Sequence, residues 1–157
     1  MDLRTQLCDA PEKYENNPEV EIQWMMQATQ KAQIHTNLLL TSDTKALKLC
    51  REQDVIIGKF RETFPDLQVK EITVDDLKGT NIDKWRSFCA SLESVKDYNF
   101  GTLLRLRADQ GYSNENTVLV PYVIFLAIEI ARNQEGINEE CKSAIQKNRE
   151  ELLKEQC

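Results

Sequence analysis

The chain is poor in the residues that most metal and nucleophilic centres use. It has one histidine, His35, and five cysteines (Cys8, Cys50, Cys89, Cys141, Cys157), no two of them close enough to form a CxxC pair. Structural zinc takes four such ligands at short spacing, so no metal site is expected. Scattered thiols of odd number give no disulfide framework either, and Cys50, Cys89 and Cys141 read as small apolar residues on helix faces. Glycine and proline number only five and four, which excludes collagen-like and low-complexity chains. The longest apolar run, Val118 to Ile128, contains Pro121 and Tyr122 and falls far short of the ~20 residues a membrane span takes. The start, Met1-Asp2-Leu3-Arg4, has neither the basic region nor the apolar stretch of a signal peptide. No membrane partner is expected, and the expected compartment is the cytoplasm. Positive charge is also in deficit. With 20 basic and 26 acidic residues the net charge is −6, the wrong sign for binding nucleic acid through phosphate contacts. It leaves room for a basic protein partner.

What is present is the composition of a globular domain: 41% hydrophobic and 29% charged residues over 157 positions. A chain of this length can bury roughly two-thirds of its unfolded surface in one core. The pattern predicts a mainly α fold. Residues 16–157 form a single compact helical domain of about five to six helices, with room for one short two-stranded β element, after a flexible segment 1–15. The first strong signal is Asn17-Pro18-Glu19-Val20-Glu21: a capping side chain, a proline suited to the first turn, and acids for the positive helix end. The helix over 18–40 carries Val20, Trp24, Ala28, Ala32 and Leu39 on one stripe. Trp24, Met25 and Met26 are expected in the core, and His35 at the stripe's edge, hydrogen-bonded or on the surface.

A short helical piece is expected over 42–50, and a longer one over 52–64 with Ile56 or Ile57, Phe60 and Phe64 inward, stopped by Pro65. Residues 67–72 alternate like a strand. Thr73-Val74-Asp75-Asp76 starts a helix that Gly79 soon ends, and 82–96 is helical with Trp85, Phe88, Cys89 and Leu92 inward. Residues 97–101 read as a turn and 102–107 as an extended piece able to pair with 67–72, followed by the turn-rich loop 109–117. The helix over 121–134 is apolar nearly all round in its first half and is the expected stability centre, with Pro121 in its first turn and Gly136 at its end. A last amphipathic helix over 138–153 turns Cys141, Ala144, Ile145, Leu152 and Leu153 inward.

No phosphate-binding glycine array, GxSxG or HExxH is present, and Gly58-Lys59 lies inside a helical pattern. A lone helical His35 makes a Ser-His or Cys-His pair improbable, and adjacent acids such as Asp75-Asp76 and Glu150-Glu151 read as solvated faces. No catalytic residue and no cofactor is expected. Two clusters stand out. Glu129 and Arg132 sit one turn apart on the most apolar helix, either as an internal ion pair or as polar anchors for a partner. Arg105 and Arg107 share one face of the extended piece, near Tyr98, Phe100 and Tyr112. Arginine and tyrosine together are the residues enriched in interface hot spots, so Tyr98, Phe100, Arg105, Arg107, Tyr112, Glu129 and Arg132 are the candidate partner-binding residues.

Five separated motifs then point to a family: Asn16 to Glu21, Trp85-Arg86-Ser87-Phe88-Cys89, Tyr98 to Leu106, Gly111-Tyr112 with Glu115-Asn116-Thr117, and Ala127 to Asn133 with Glu135-Gly136. In this order, over about 16–137, the chain resembles the polysaccharide biosynthesis domain-containing protein 1 family. The resemblance implies a small, cytosolic, mainly helical protein. It further implies a dedicated chaperone for newly made translation elongation factor 1-alpha, holding the client's GTP-binding domain until it binds GTP, beside the ribosome and as a monomer. Some relatives carry a long charged C-terminal tail, whereas this chain stops at Cys157. A non-catalytic adaptor in another complex, and an enzyme whose site has no recognised motif, are the alternative expectations.

Overall fold

The structure is a computed structural model and describes residues 18–155, with the side chains of 18–21, 152, 153 and 155 left out. The expectations of a flexible segment over 1–15, of an Asn17 cap and of inward placement for Val20, Leu152 and Leu153 lie outside the described residues. The element order is α1 (Pro18–Thr41), a 3-10 turn (Thr44–Ala46), α2 (Gln53–Thr63), α3 (Val74–Lys78), α4 (Ile82–Ala90), β1 (Gly101–Arg105), β2 (Thr117–Pro121), α5 (Tyr122–Gln134), α6 (Ile137–Glu140) and α7 (Lys142–Glu155). The fold is mainly α with one short antiparallel sheet, as expected.

Helix α5 is the centre. Every residue from Val123 to Asn133 is buried, so this helix has no solvent face and all its neighbours pack onto it. On one side stand α2 and α4, whose inward residues Phe60, Phe64 and Trp85 stack, with Phe64 and Trp85 ring centres 4.3 Å apart. The Trp85 indole N–H is satisfied by the Asp76 carbonyl at 3.0 Å, so the largest core side chain carries no orphaned donor. Helix α3 is short because its ends are closed at once. Thr73 and Asp76 form a reciprocal capping box and the Gly79 N–H closes on Asp75.

Three expected elements differ. The strand partner of β1 is β2, register Leu103 opposite Leu119, and not 67–72. The run Thr117-Val118-Leu119-Val120, three of its four residues β-branched, takes the hydrogen bonds, and Pro121, with no N–H to donate, ends the strand and leads into α5. Residues 70–72 still touch the sheet's extension: Glu71 bridges Arg107, Ile72 N–H donates to Leu106 and Ala108 N–H to Lys70. The piece 42–50 is helical only over Thr44–Ala46, since Asp43 caps Lys45 N–H and Leu47 turns extended. The helix from 82 ends at Ala90, where Ser91 Oγ donates back to the Phe88 carbonyl. The turns beyond keep Leu92 and Val95 buried.

Helix α1 lies across the outside. Ala28, Ala32, His35 and Leu39 face the body, whereas Ile22, Met25, Met26 and Ile34 are exposed. Met25 and Met26 are thus not core residues, because Trp24 alone of the three turns inward, resting against Gly101. Of the two expectations for His35, the surface one fails, since the ring is buried, and the hydrogen-bonded one holds. Ala144 is also exposed; only Cys141 and Ile145 anchor the start of the last helix in the body. Among the described residues no helix is long and apolar enough to cross a membrane.

Candidate functional site

Beneath α1 and β1 lies a buried network of charged groups. Arg105, the last residue of β1, points inward under α5 and is wholly buried, as are Glu129 and Arg132 on α5 itself. Arg105 donates from Nη2 to both carboxylate oxygens of Glu129, at 2.9 and 3.0 Å. Arg132 donates to Glu129 Oε2 at 3.0 Å. Asn138 completes the arrangement, donating to Glu129 Oε1 at 3.1 Å and accepting from Arg105 at 3.0 Å. Asn138 reaches this point because Gly136, at φ 78°, reverses the chain after α5; a left-handed residue there favours glycine.

Other guanidinium donors go to backbone. Arg132 donates to the carbonyls of Val69 and Leu106 at 2.7 and 3.1 Å. Arg105 donates to those of Ala108 and Gln110 at 2.9 and 3.3 Å. These carbonyls belong to irregular segments that have few sheet partners, so the two arginines pin the 69–72 and 106–110 stretches onto α5. Burial alone would raise the Glu129 pKa, but the two guanidiniums outweigh it and, with Asn138, hold this carboxyl well below the usual range. His35 stands at the edge of the network. Its Nδ1 pairs with the Tyr112 hydroxyl at 2.8 Å, and its Nε2 lies 3.9 Å from Glu129 Oε1, too far for a hydrogen bond. Burial pushes the imidazole down to about 4, only partly opposed by Glu129. It is therefore neutral at pH 7. The same burial, helped by the Glu129 charge, raises the Tyr112 hydroxyl.

The seven sequence candidates thus separate. Arg105, Glu129 and Arg132 form the interior network, so the reading of Glu129 and Arg132 as an internal ion pair holds. The expectation that Arg105 shares an exposed face with Arg107 does not. The chain leaves the ladder after Arg105, and Arg107 turns outward to pair with Asp109, Nη2 to Oδ2 at 3.0 Å. Tyr98, Phe100 and Tyr112 are half-buried. Phe100 lies under the Lys31 ammonium, 4.1 Å from ring centre to nitrogen. Asn138 and His35 are the network members that the sequence reading missed. An asparagine just past a helix-ending glycine gives no signal of its own, and the His35 contact joins residues far apart in sequence.

The network is structural chemistry. Glu129 and both arginines are sealed from solvent and held by one another and by backbone carbonyls, so none of the three meets a substrate in this conformation. Among the described residues no group of three or more His, Cys, Asp or Glu side chains is placed to hold a metal ion. The surface offers a different feature. Residues 22–41 contain a single formal charge, Lys31, although the chain as a whole is rich in charge. The outer face of α1 shows Ile22, Met26 and Ile34 at about 60% exposure each, with exposed Gln23, Gln27, Gln30 and Gln33 between them. Several large apolar side chains exposed on one nearly uncharged helix make it the candidate interaction surface.

Fold and network together describe a helical scaffold locked around an interior ion cluster, with an outer helix that carries one formal charge beyond its first turn. The chain belongs to the PBDC1 protein family, whose model matches residues 20–143, the family that the five sequence motifs resemble. It is 44% identical to the Protein PBDC1 of Mus musculus over 142 residues, covering 89% of this chain and 72% of the mouse protein. It is 41% identical to the human Protein PBDC1, covering 86% of this chain but only 59% of the human one. A PBDC1 homolog of Schizosaccharomyces pombe is 39% identical, with 82% of this chain and 91% of the yeast protein aligned. The fold matches a solution NMR structure of a Saccharomyces cerevisiae protein with a TM-score of 0.73 at 34% identity, over 85% of this chain and 96% of that one.

Proposed function

We propose that this chain is a client-holding protein, a dedicated chaperone that binds the GTP-binding domain of newly made translation elongation factor 1-alpha and releases it when the client binds GTP. Two things support this reading: membership in the PBDC1 family, from whose resemblance the client is taken, and the exposed, nearly uncharged face of α1, which carries the geometric argument. A GTP-binding domain without nucleotide has mobile switch segments and apolar surface that the filled form withdraws. A rigid partner with an exposed Ile and Met face can cover that surface without ATP, because release needs only a difference in affinity between the two client states. Methionine suits such a role, since its flexible, polarizable side chain adapts to imperfectly ordered partners. The rim of contact extends to Phe100, Tyr112 and Arg107, which remain accessible, and Tyr98 beside them. Arg105, Glu129 and Arg132 contribute by fixing the frame. The protein acts in the cytoplasm, beside the ribosome and as a monomer, and the reading includes no catalytic step.

The test is binding of the purified chain to nucleotide-free elongation factor 1-alpha, with and without GTP, for the parent and for Met26→Glu and Ile34→Glu. Both positions are exposed, so folding is retained. Tight binding that GTP weakens and either substitution abolishes supports the proposal. Binding indifferent to GTP would defeat release and leave a plain adaptor.

A further inference from the structure

Two hollows flank α1, and among the described residues neither has an acidic side chain in its lining. The larger, a groove of about 600 Å³, runs between α1 and the 111–117 loop. Its α1 wall includes Thr29, Ala32, Gln33, Thr36 and Asn37. That spacing of three and four makes one stripe, about 12 Å long at 1.5 Å per residue. The facing wall is Ser113, Asn114 and Thr117, with Leu103 and Tyr112 also lining the groove, and among the described residues Arg149 of α7 is the only charged side chain that lines it. The smaller recess, about 210 Å³, shares Ala32, Leu103 and Tyr112 with the groove, and among the described residues the only formal charge in its lining is Lys31. On a chain with 26 acidic and 20 basic residues, two adjoining hollows holding only cations set this region apart from the rest. Glu115 and Glu150, next in sequence to lining residues, are exposed and line neither hollow.

The walls are built before any ligand arrives. Asn116 ties the loop to itself, accepting from Arg107 N–H at 2.9 Å and donating to Gly111 O at 2.9 Å. Gly111 N–H donates to Asn148 of α7 at 2.9 Å, and Thr117 Oγ1 to Ser113 O at 2.8 Å. Asn37 Oδ1 accepts one Arg149 Nη1 donor at 3.2 Å, which steadies a guanidinium whose other donors meet no acceptor among the described residues. Thr29 and Thr36 spend their hydroxyl protons on their own helix and so present oxygen acceptors. The Gln33 and Asn114 amides have no partner among the described residues and present donors as well. A row of uncharged donors and acceptors is what an extended peptide backbone needs, and a single arginine at the end is what a carboxylate side chain needs.

We infer that this groove binds a short extended peptide segment bearing an acidic residue, with its backbone along Gln33, Thr36 and Asn114 and its carboxylate on Arg149. The ligand is recognised by charge and shape whatever the identity of the client proposed above, and failure of that reading leaves this one standing. Such a groove lets an acidic chain engage an acidic segment, a pairing that net charge alone opposes.

The probe is a terminally blocked hexapeptide, Gly-Leu-Ser-Asp-Asp-Gly, titrated into isotope-labelled protein while backbone amide shifts are followed. A Lys-Lys counterpart and sodium octanoate serve as comparison arms. The expected result is shifts clustered at Gln33, Asn37, Ser113 and Asn114 with the acidic peptide, and at least tenfold weaker binding with the lysine form. Arg149→Glu should reverse that preference, and Gln33→Trp should abolish binding by filling the groove; both positions are exposed, so the unliganded spectrum should otherwise persist. Equal shifts with both peptides, no shifts at millimolar peptide, an unchanged preference in Arg149→Glu, or response to octanoate alone would each overturn the inference.

Discussion

Arg105 and Glu129, 24 residues apart, join the sheet to the central helix through two hydrogen bonds of 2.9 and 3.0 Å, with neither side chain exposed. Removing one member of a buried pair leaves an uncompensated charge and costs about 3–5 kcal/mol. Glu129→Gln strands two guanidiniums at once, so a loss at the upper end is expected in urea denaturation. Arg107→Ala, two residues beyond Arg105 and half-exposed, is the control. Its pair with Asp109 lies at the surface, where such contacts contribute ~0–1 kcal/mol. Similar losses for the two variants would mean that the buried network does not hold the fold.

His35 makes stability depend on pH. Its pKa falls to about 4 in the folded chain from its ordinary 6.5. Between those values the unfolded chain binds more protons than the folded one, so stability falls as pH falls through this window and levels off below it. The full effect is on the order of 3 kcal/mol. Glu129, held low, adds loss at still lower pH. His35→Asn removes the titrating ring and should flatten the stability profile between pH 7 and 5. An unchanged slope would show that His35 is accessible to protons in the native state.

Gly101 sets how α1 sits. A Cβ at this position would lie 2.6 Å from Trp24 Cζ2, well inside contact distance, and the indole is a rigid neighbour. Gly101→Ala is expected to displace the N-terminal half of α1, seen as a red shift of tryptophan fluorescence, with loss of about 1–3 kcal/mol as in other overpacked sites. Trp85, deep in the core, should be unaffected.

Ile128 and Met26 measure the contrast between the inner and outer helices. Ile128 is fully buried and Met26 is 60% exposed. Ile128→Ala should cost about 2–5 kcal/mol through the cavity it leaves. Met26→Ala should stay within about 0.5 kcal/mol, as surface substitutions do. A large loss at Met26 would mean that the outer face of α1 is covered and would remove the surface on which the proposed client binding rests.

Local pattern was enough for much of this. The periodicity and end signals of α2, α3 and α5 are in the residues themselves: Thr73 with Asp76 for a start, Gly79 and Gly136 for stops, and an all-round apolar run for the helix that becomes the centre. Each depends on neighbours within a turn or two, so each is readable without a partner. The motifs that mark the family are equally local, so they are legible in the sequence by itself.

Tertiary structure alone decided which polar residues go inside. Arg105 and Arg107 are the same residue type two positions apart on one extended piece, yet one is sealed against Glu129 and the other faces solvent. The difference is made by the Glu129 carboxylate of α5, the Asn138 amide of α6 and the carbonyls of Ala108 and Gln110, which together occupy both Nη atoms of the buried guanidinium. His35 enters because Tyr112, 77 residues away, meets it, while Met25 and Met26 stay out because, among the described residues, no element crosses the outer side of α1. A sequence states what each side chain can do alone. Whether burying a charge is tolerable depends on partners from distant segments, and only the assembled fold supplies them.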